Sequence, residues 1–260
     1  MARTFNGTSD KVTFGSESAV DDIAPFTAVA LIRPTANITD ERQILTKMDA
    51  NWSGSMYLTA YAAGGGNNKV VVVRSGSAPL FTETAADVIV PSVWNVLVST
   101  WNGVGVSGLA NVYTCQLGGV ITETSYTSRT GISGAISDAS PNIMVGARIS
   151  DATFFAGGIA ECAIWNRVLT DGEIRALGRG FAPAFFPRGR VFYSLIDGRH
   201  SPEINMAGTT HGTVTGTTFL DHPPVIYPRQ MGVQVPTVGG SSFKAAWARG
   251  ANVVIGSGAR

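Results

Sequence analysis

The sequence predicts an all-β protein: a two-sheet antiparallel jelly-roll sandwich with one short helix and an extended C-terminal arm. Three observations point there. The 260-residue chain has only 14% charged residues and carries 31 Gly; low charge with abundant Gly, Thr, Ser and Val suits strands joined by turns. Short apolar runs recur between turn residues, as in a sandwich or jelly roll. One stretch alone gives a clear helical signal.

Taken in order, "DKVTFG" and "PFTAVALIRP" open the strand series, and "RQILTKMD", "GSMYLTAYA", "KVVVVRSG" and "SVWNVLVSTWNG" follow. Then come "NVYTCQLGG", "PNIMVGARI" and "GGIAECAIWN". Gly, Asn, Asp, Ser or Pro punctuates nearly every join, and "GGGNNK" at Gly64–Lys69 predicts a hairpin loop. No fixed period marks internal repeats. The helix starts at Asp171, with Thr170 as its cap and Glu173 placed to complete a capping box. Leu169 and Ile174 form a hydrophobic staple, and Gly178 or Gly180 supplies the stop. So short a helix is marginal alone, which predicts a lid packed on the sandwich through Ile174 and Leu177.

Several of these segments resemble laminin-G-like, concanavalin-A-like jelly-roll domains. "FNGTSDKVTFG" resembles their first strand, and "ILTKMD" a strand ending in Lys and an acid. "VWNVLVSTWNG" is similar to a strand with an early Trp and a closing Gly turn. "GGIAECAIWNRVLTDGEIRAL" resembles the strand, Asn-Arg pair and acidic helix start that end the domain. The match covers roughly Phe5–Leu177 and implies a two-sheet antiparallel sandwich. "RVFYSLIDGRHSPEINMAGTTHGTVTG", Arg190–Gly216, resembles the family's opening strand in a permuted place. It is assigned to the same sandwich, within a jelly-roll domain spanning 1–227; an appended β-hairpin is the alternative. Residues 228–260 form the predicted arm. Pro223, Pro224, Pro228 and Pro236 favour extended backbone, and Phe243, Trp247, Val253, Val254 and Ile255 give the arm apolar material for docking on a partner.

The residues exclude more chemistry than they suggest. The formal net charge of +1 gives no case for nucleic acid or an anionic membrane. No apolar run approaches the ~20 residues of a spanning helix, and "MARTFNGTSD" lacks a signal-peptide core. Cys115 and Cys162 read as two separately buried thiols of a protein made in a reducing cytoplasm. Glycoside hydrolysis needs two carboxyls at a set separation, and "IAECAIWN" offers Glu161 alone. Asp21 and Asp22 are adjacent and would face opposite sides of a strand. His200, His211 and His222 show no short ligand spacing. Asp10, Asp49, Asp138 and Asp151 read as solvated turn carboxylates rather than a calcium site. No cofactor or metal is expected. Trp52, Trp101 and Trp165 are the candidates for stacking on a sugar, with Trp52 the best exposed, whereas Trp94 and Trp165 are assigned to packing.

These readings converge on a non-enzymatic protein. The low charge, the jelly roll and the apolar arm resemble bacteriophage virion accessory proteins. That resemblance implies a capsid decoration or cement protein, made in host cytoplasm and carried in the virion, with virion proteins and copies of itself as partners. The alternative is a glycan-binding module of a tail- or fibre-associated adhesion protein, with Trp52 as its sugar contact.

Overall fold

The computed structural model describes residues 1–48, 54–63, 66–75, 79–103, 108–133, 136, 138–148 and 153–228. They form two antiparallel sheets of eight strands each. The first runs β10 (Thr122–Glu123), β9 (Asn111–Gln116), β8 (Asn95–Trp101), β3 (Phe26–Pro34), β13 (Ala156–Trp165), β1 (Ala2–Asn6) and β16 (Thr218–Leu220). β14 (Arg190–Ser194) also pairs with β13. The second runs β11 (Tyr126–Thr130), β7 (Leu80–Thr84), β6 (Gly66–Arg74), β5 (Gly54–Ala63), β4 (Arg42–Met48), β12 (Ile143–Val145), β2 (Lys11–Gly15) and β15 (Thr213–Thr215). The jelly-roll sandwich that the strand pattern predicts is therefore present.

Strand β3 explains the architecture in miniature. Its "FTAVALIRP" is buried at eight of nine positions, because both of its faces are covered. Phe26, Ala28, Ala30 and Ile32 join the core between the sheets, with Ile44, Tyr57, Leu97 and Ile164. Val29 and Leu31 face a second apolar layer with Val96, Val98 and Trp165. Helix α1 (Asp171–Gly178) closes that layer through Ile174 and Leu177, together with Leu169 just before its cap. Its capping box is formed: Thr170 Oγ1 accepts from the Glu173 amide at 3.3 Å, and Glu173 accepts from the Thr170 amide at 2.8 Å. Arg167 adds an ion pair to Glu173 at 2.6 Å.

The chain after the helix returns to both sheets. β14 pairs with β13, β15 with β2 and β16 with β1. One edge of β13 is thereby shared: β1 pairs with Ala156–Ile159 and β14 with Cys162–Trp165. Glu161 lies at the handover, in a bulge with φ of 53°.

Several local expectations are corrected. Trp101 is 2% exposed and donates to the Gly108 carbonyl; Trp165 is fully buried and donates to the Phe186 carbonyl. Trp101 is therefore no sugar platform, and Trp165 packs as assigned, because each indole sits in an apolar layer with its N–H satisfied inside. Asp21 and Asp22 do not lie on a strand; they follow a 3₁₀ turn at Ser18–Val20. The Gly64–Lys69 loop is shorter than expected, since β6 already begins at Gly66. Cys115 and Cys162 are free thiols, the first half-buried and the second buried. Among the described residues no helix is long and apolar enough to cross a membrane. The arm residues Phe243, Trp247, Val253, Val254 and Ile255 lie outside the described residues.

Candidate functional site

The sequence-predicted candidates scatter. Trp52, Asp49 and Asp151 lie outside the described residues. Asp10 is 6% exposed and accepts from the Asn6 amide at 3.0 Å. His200 lies 3.5 Å from Asp197, His211 accepts from the Asn205 amide, and His222 approaches Glu161. Among the described residues no group of three or more His, Cys, Asp or Glu side chains could hold a metal ion.

Asp138 corrects the expectation of a solvated turn. Its carboxylate is fully buried and accepts from the Asp22 amide and Ser55 Oγ, both at 2.6 Å, and from Arg74 at 3.1 Å. The Asp22 carboxylate reciprocates by accepting from the Asp138 amide at 2.7 Å. The Lys47 ammonium donates to the Asp138 and Pro141 carbonyls and pairs with Asp21 at 2.8 Å. Arg74 is enclosed by the Phe26, Tyr57 and Trp101 rings, with its guanidinium carbon 5.4–5.8 Å from their centroids. Burial, opposed by the Arg74 charge and aided by Asp138, holds the Tyr57 phenol well above its usual range. A buried charge survives only when paired or hydrogen-bonded. The Asp138, Lys47 and Arg74 part of this network is internal and ties β4, β5 and β6 together, with Asp21 and Asp22 at its solvent margin.

Across the second sheet, polar side chains are mutually engaged. Thr59 donates to Gln43 at 2.8 Å, and Lys69 pairs with Glu83 at 2.7 Å. Burial raises the Glu41 carboxyl above its ordinary value, although Arg148 and a hydrogen bond from Gln43 oppose the shift.

The first sheet carries a different arrangement around Gly158. Thr218, Thr4, Gly158 and Arg33 align in register across β16, β1, β13 and β3. Gly158 leaves a gap in this row. A Cβ placed there would lie 2.6 Å from Leu220 and 3.0 Å from the Trp94 ring, so those two side chains pack onto the strand at a distance only glycine allows, and a cleft opens beside them. The resulting cleft of about 250 Å³ is lined by Thr4, Arg33, Thr35, Ser92 and Leu220 as well as by Gly158. Arg33 Nε donates to the Ser92 carbonyl at 3.0 Å, which fixes the guanidinium, and its two terminal nitrogens make no hydrogen bond among the described residues. Neither Asp nor Glu lines this cleft. Two other clefts, about 330 and 440 Å³, flank the helix. In the larger, Arg167 and Glu173 already satisfy each other. The Gly158 cleft thus combines the terminal nitrogens of Arg33 with the hydroxyls of Thr4, Thr35 and Ser92 and the apolar Pro34 and Leu220.

Sequence reasoning missed this row. Members adjacent in the row lie more than a hundred residues apart in the chain, and no local motif shows that Thr4, Gly158 and Arg33 share a register. The one local signal is the "GGI" at the start of β13, since a strand glycine marks a close approach.

Comparison with known proteins follows the fold. The family model for concanavalin A-like lectins and glucanases, described as a superfamily, matches residues 6–175. No curated protein sequence matches the chain. Among solved structures, a Bacteroides ovatus protein with a proposed carbohydrate-binding role aligns with a TM-score of 0.58 at 17% identity, over 84% of this chain and 59% of its own. Domain 4 of a Geobacillus stearothermophilus extracellular GH43 arabinanase, solved with arabinotriose, gives 0.45 at 16% identity, over 67% of this chain and 75% of its own. The CBM40 of a Ruminococcus gnavus sialidase, bound to α2,3-sialyllactose, gives 0.43 at 16% identity, over 66% and 96%. The chain thus spans 59% of the length of the Bacteroides protein it matches.

Proposed function

Because the chain belongs to the concanavalin A-like lectin/glucanase superfamily, we propose that it is a glycan-binding module whose cleft over Gly158 receives a sugar. The in-register row Thr4–Gly158–Arg33 carries this reading. A sugar presents hydroxyls around an apolar ring face. The cleft offers a guanidinium and small hydroxyls for the former, and Pro34 and Leu220 for the latter. The carbohydrate-binding role proposed for the Bacteroides protein, which shares the fold, supports the same assignment. Binding without hydrolysis is part of the proposal: the cleft lining has no carboxyl to serve as acid, base or nucleophile.

The assembly reading, in which the jelly roll decorates a capsid through its 228–260 arm, rests on residues outside the described ones. The glycan reading rests on a defined site and takes precedence. A glycan array on the full-length protein, followed by titration of the best hit, tests it. Arg33→Ala removes charge-assisted hydrogen bonds worth about 1.5–3 kcal/mol, so affinity should fall roughly 10- to 150-fold with the fold intact. A blank array removes the reading for the sugars tested. A hit weakened by Trp52→Ala but not by Arg33→Ala moves the site to Trp52.

A further inference from the structure

We propose that Glu161 and His222 share one proton in a latch that holds residues 221–228 against the first sheet and thereby sets the wall of the Gly158 cleft. As regulation of that cleft, the latch rests on the glycan-binding reading.

The geometry counts the proton. The Glu161 carboxylate is fully buried at the β13 bulge, where its amide donates to the Leu195 carbonyl at 3.1 Å. Oε2 accepts from the Tyr193 hydroxyl at 2.8 Å, and Oε1 accepts from the Tyr227 hydroxyl. His222 Nε2 stands 3.2 Å from the same Oε1. On the other side of the ring, His222 Nδ1 lies 2.9 Å from the Pro223 carbonyl. A carbonyl only accepts, so Nδ1 carries the hydrogen. A neutral ring then turns a bare Nε2 toward a carboxylate oxygen, and two acceptors repel. The contact becomes attractive when one further proton sits on Nε2 or on the carboxyl, two descriptions of one coupled state.

The Tyr227 hydroxyl also stands 3.5 Å from His222 Nε2, but its single hydrogen goes to Glu161 Oε1, so the surrounding groups do not supply the further proton. Burial first, and then the Glu161 charge, push the Tyr193 and Tyr227 phenols far up, so both remain hydroxyl donors. Burial, reinforced by the Glu161 and Glu203 charges, keeps the neighbouring Cys162 a thiol. Glu203 is itself paired with Arg3. Arg190, from β14, lies over the Tyr193 ring at 4.6 Å and feels the Glu161 charge without contacting it. Asp197 and Arg199, from the loop after β14, act on Tyr227 in opposite senses. Among the described residues, His222 is the basic side chain in contact with Glu161.

The strap is short and continuous with the cleft. Leu220, a cleft wall, ends β16 two residues before His222. Beyond the latch, Ile226 exchanges backbone hydrogen bonds with Gly180 and Ala182 at 2.8 and 2.9 Å. Loss of the shared proton leaves a buried carboxylate facing a bare imidazole nitrogen. The sign follows: the strap is closed while the proton is bound and loosens as pH rises past its release.

The experiment has a readout without ligand and one with it. Hydrogen exchange at the Val225 and Ile226 amides, corrected for intrinsic rates, should speed up about tenfold from mildly acidic to alkaline pH, for a charged hydrogen bond of ordinary strength. Nitrogen NMR of His222 should show both ring nitrogens protonated, or a neutral ring with hydrogen on Nδ1, at the acidic end. His222→Gln supplies a donor that does not titrate, so its strap protection should not depend on pH. Affinity for an array-selected glycan should fall by a similar factor in the wild type and stay flat in His222→Gln. Strap protection that is flat with pH in the wild type, or a neutral ring with hydrogen on Nε2, overturns the latch. A strap that opens with pH in a protein that binds no glycan keeps the latch and overturns the function. Glycan binding that is flat with pH, over a strap that opens, overturns the link between latch and cleft.

Discussion

Replacing Asp138 by Ala tests whether the internal charge network holds the sandwich together. The substitution removes three acceptor contacts: to the Asp22 amide and Ser55 Oγ at 2.6 Å, and to Arg74 at 3.1 Å. Arg74, with no side-chain exposure, is left with ring faces alone, and its Nε and Nη1 already lack partners among the described residues. Breaking a buried ion pair from one side costs about 3–5 kcal/mol, because the remaining charge is stranded. Lys47 moderates nothing here, since it is held by backbone carbonyls and Asp21. At roughly 2–4 °C per kcal/mol for a domain of this size, Tm should drop by about 6–20 °C. Urea unfolding with an unchanged m-value is the assay. Adding Arg74→Met should restore part of the loss, since the stranded guanidinium is gone. A loss under about 1 kcal/mol, or strict additivity in the double variant, would refute the argument.

Thr170→Ala should cost about 0.5–2 kcal/mol by removing the helix cap; an unchanged urea midpoint would show that packing alone holds the helix. Hydrogen bonding from Arg167, opposed by burial and aided by Thr170, holds the Glu173 carboxyl down at about 2. Its contribution is therefore present above the ordinary carboxylate range and fades as pH falls toward 2. Acid melts of wild type and Arg167→Ala should converge over that window, and parallel curves would exclude the pair as the source. Burial raises the Cys115 thiol to about 11 and that of Cys162 further still, so neither should react promptly with a thiol reagent at neutral pH until the protein is unfolded. Rapid native labelling of Cys115 would show that the helix lid opens.

What could be read from the chain was whatever is local. Thr170, Glu173 and Ile174 specify the helix start within a few residues, and alternating apolar runs mark most strands. Trp101 was harder, because a strand indole looks alike whether it faces solvent or an apolar layer. Asp138 looked solvated among Ser and Asp, and nothing near it in sequence announces Arg74 or Lys47. The candidate site was the least legible. Thr4, Gly158 and Arg33 meet only through strand register, and His222 meets Glu161 only after the chain has crossed the sheet again.

The shared edge of β13 also bears on how the protein is made. Its two partners, β1 and β14, come from opposite ends of the described chain. Residues 6–175 carry the family match, yet a chain stopped there would leave the β14 stretch of β13 and the β15 side of β2 without a neighbour. Bare strand edges recruit other chains. On a ribosome moving at about 5–20 residues per second, the nascent sandwich must wait several seconds with these edges open before β14, β15 and β16 emerge to close them. Truncations ending near residue 175 should accordingly aggregate, whereas those ending after Pro228 should stay monodisperse in light scattering.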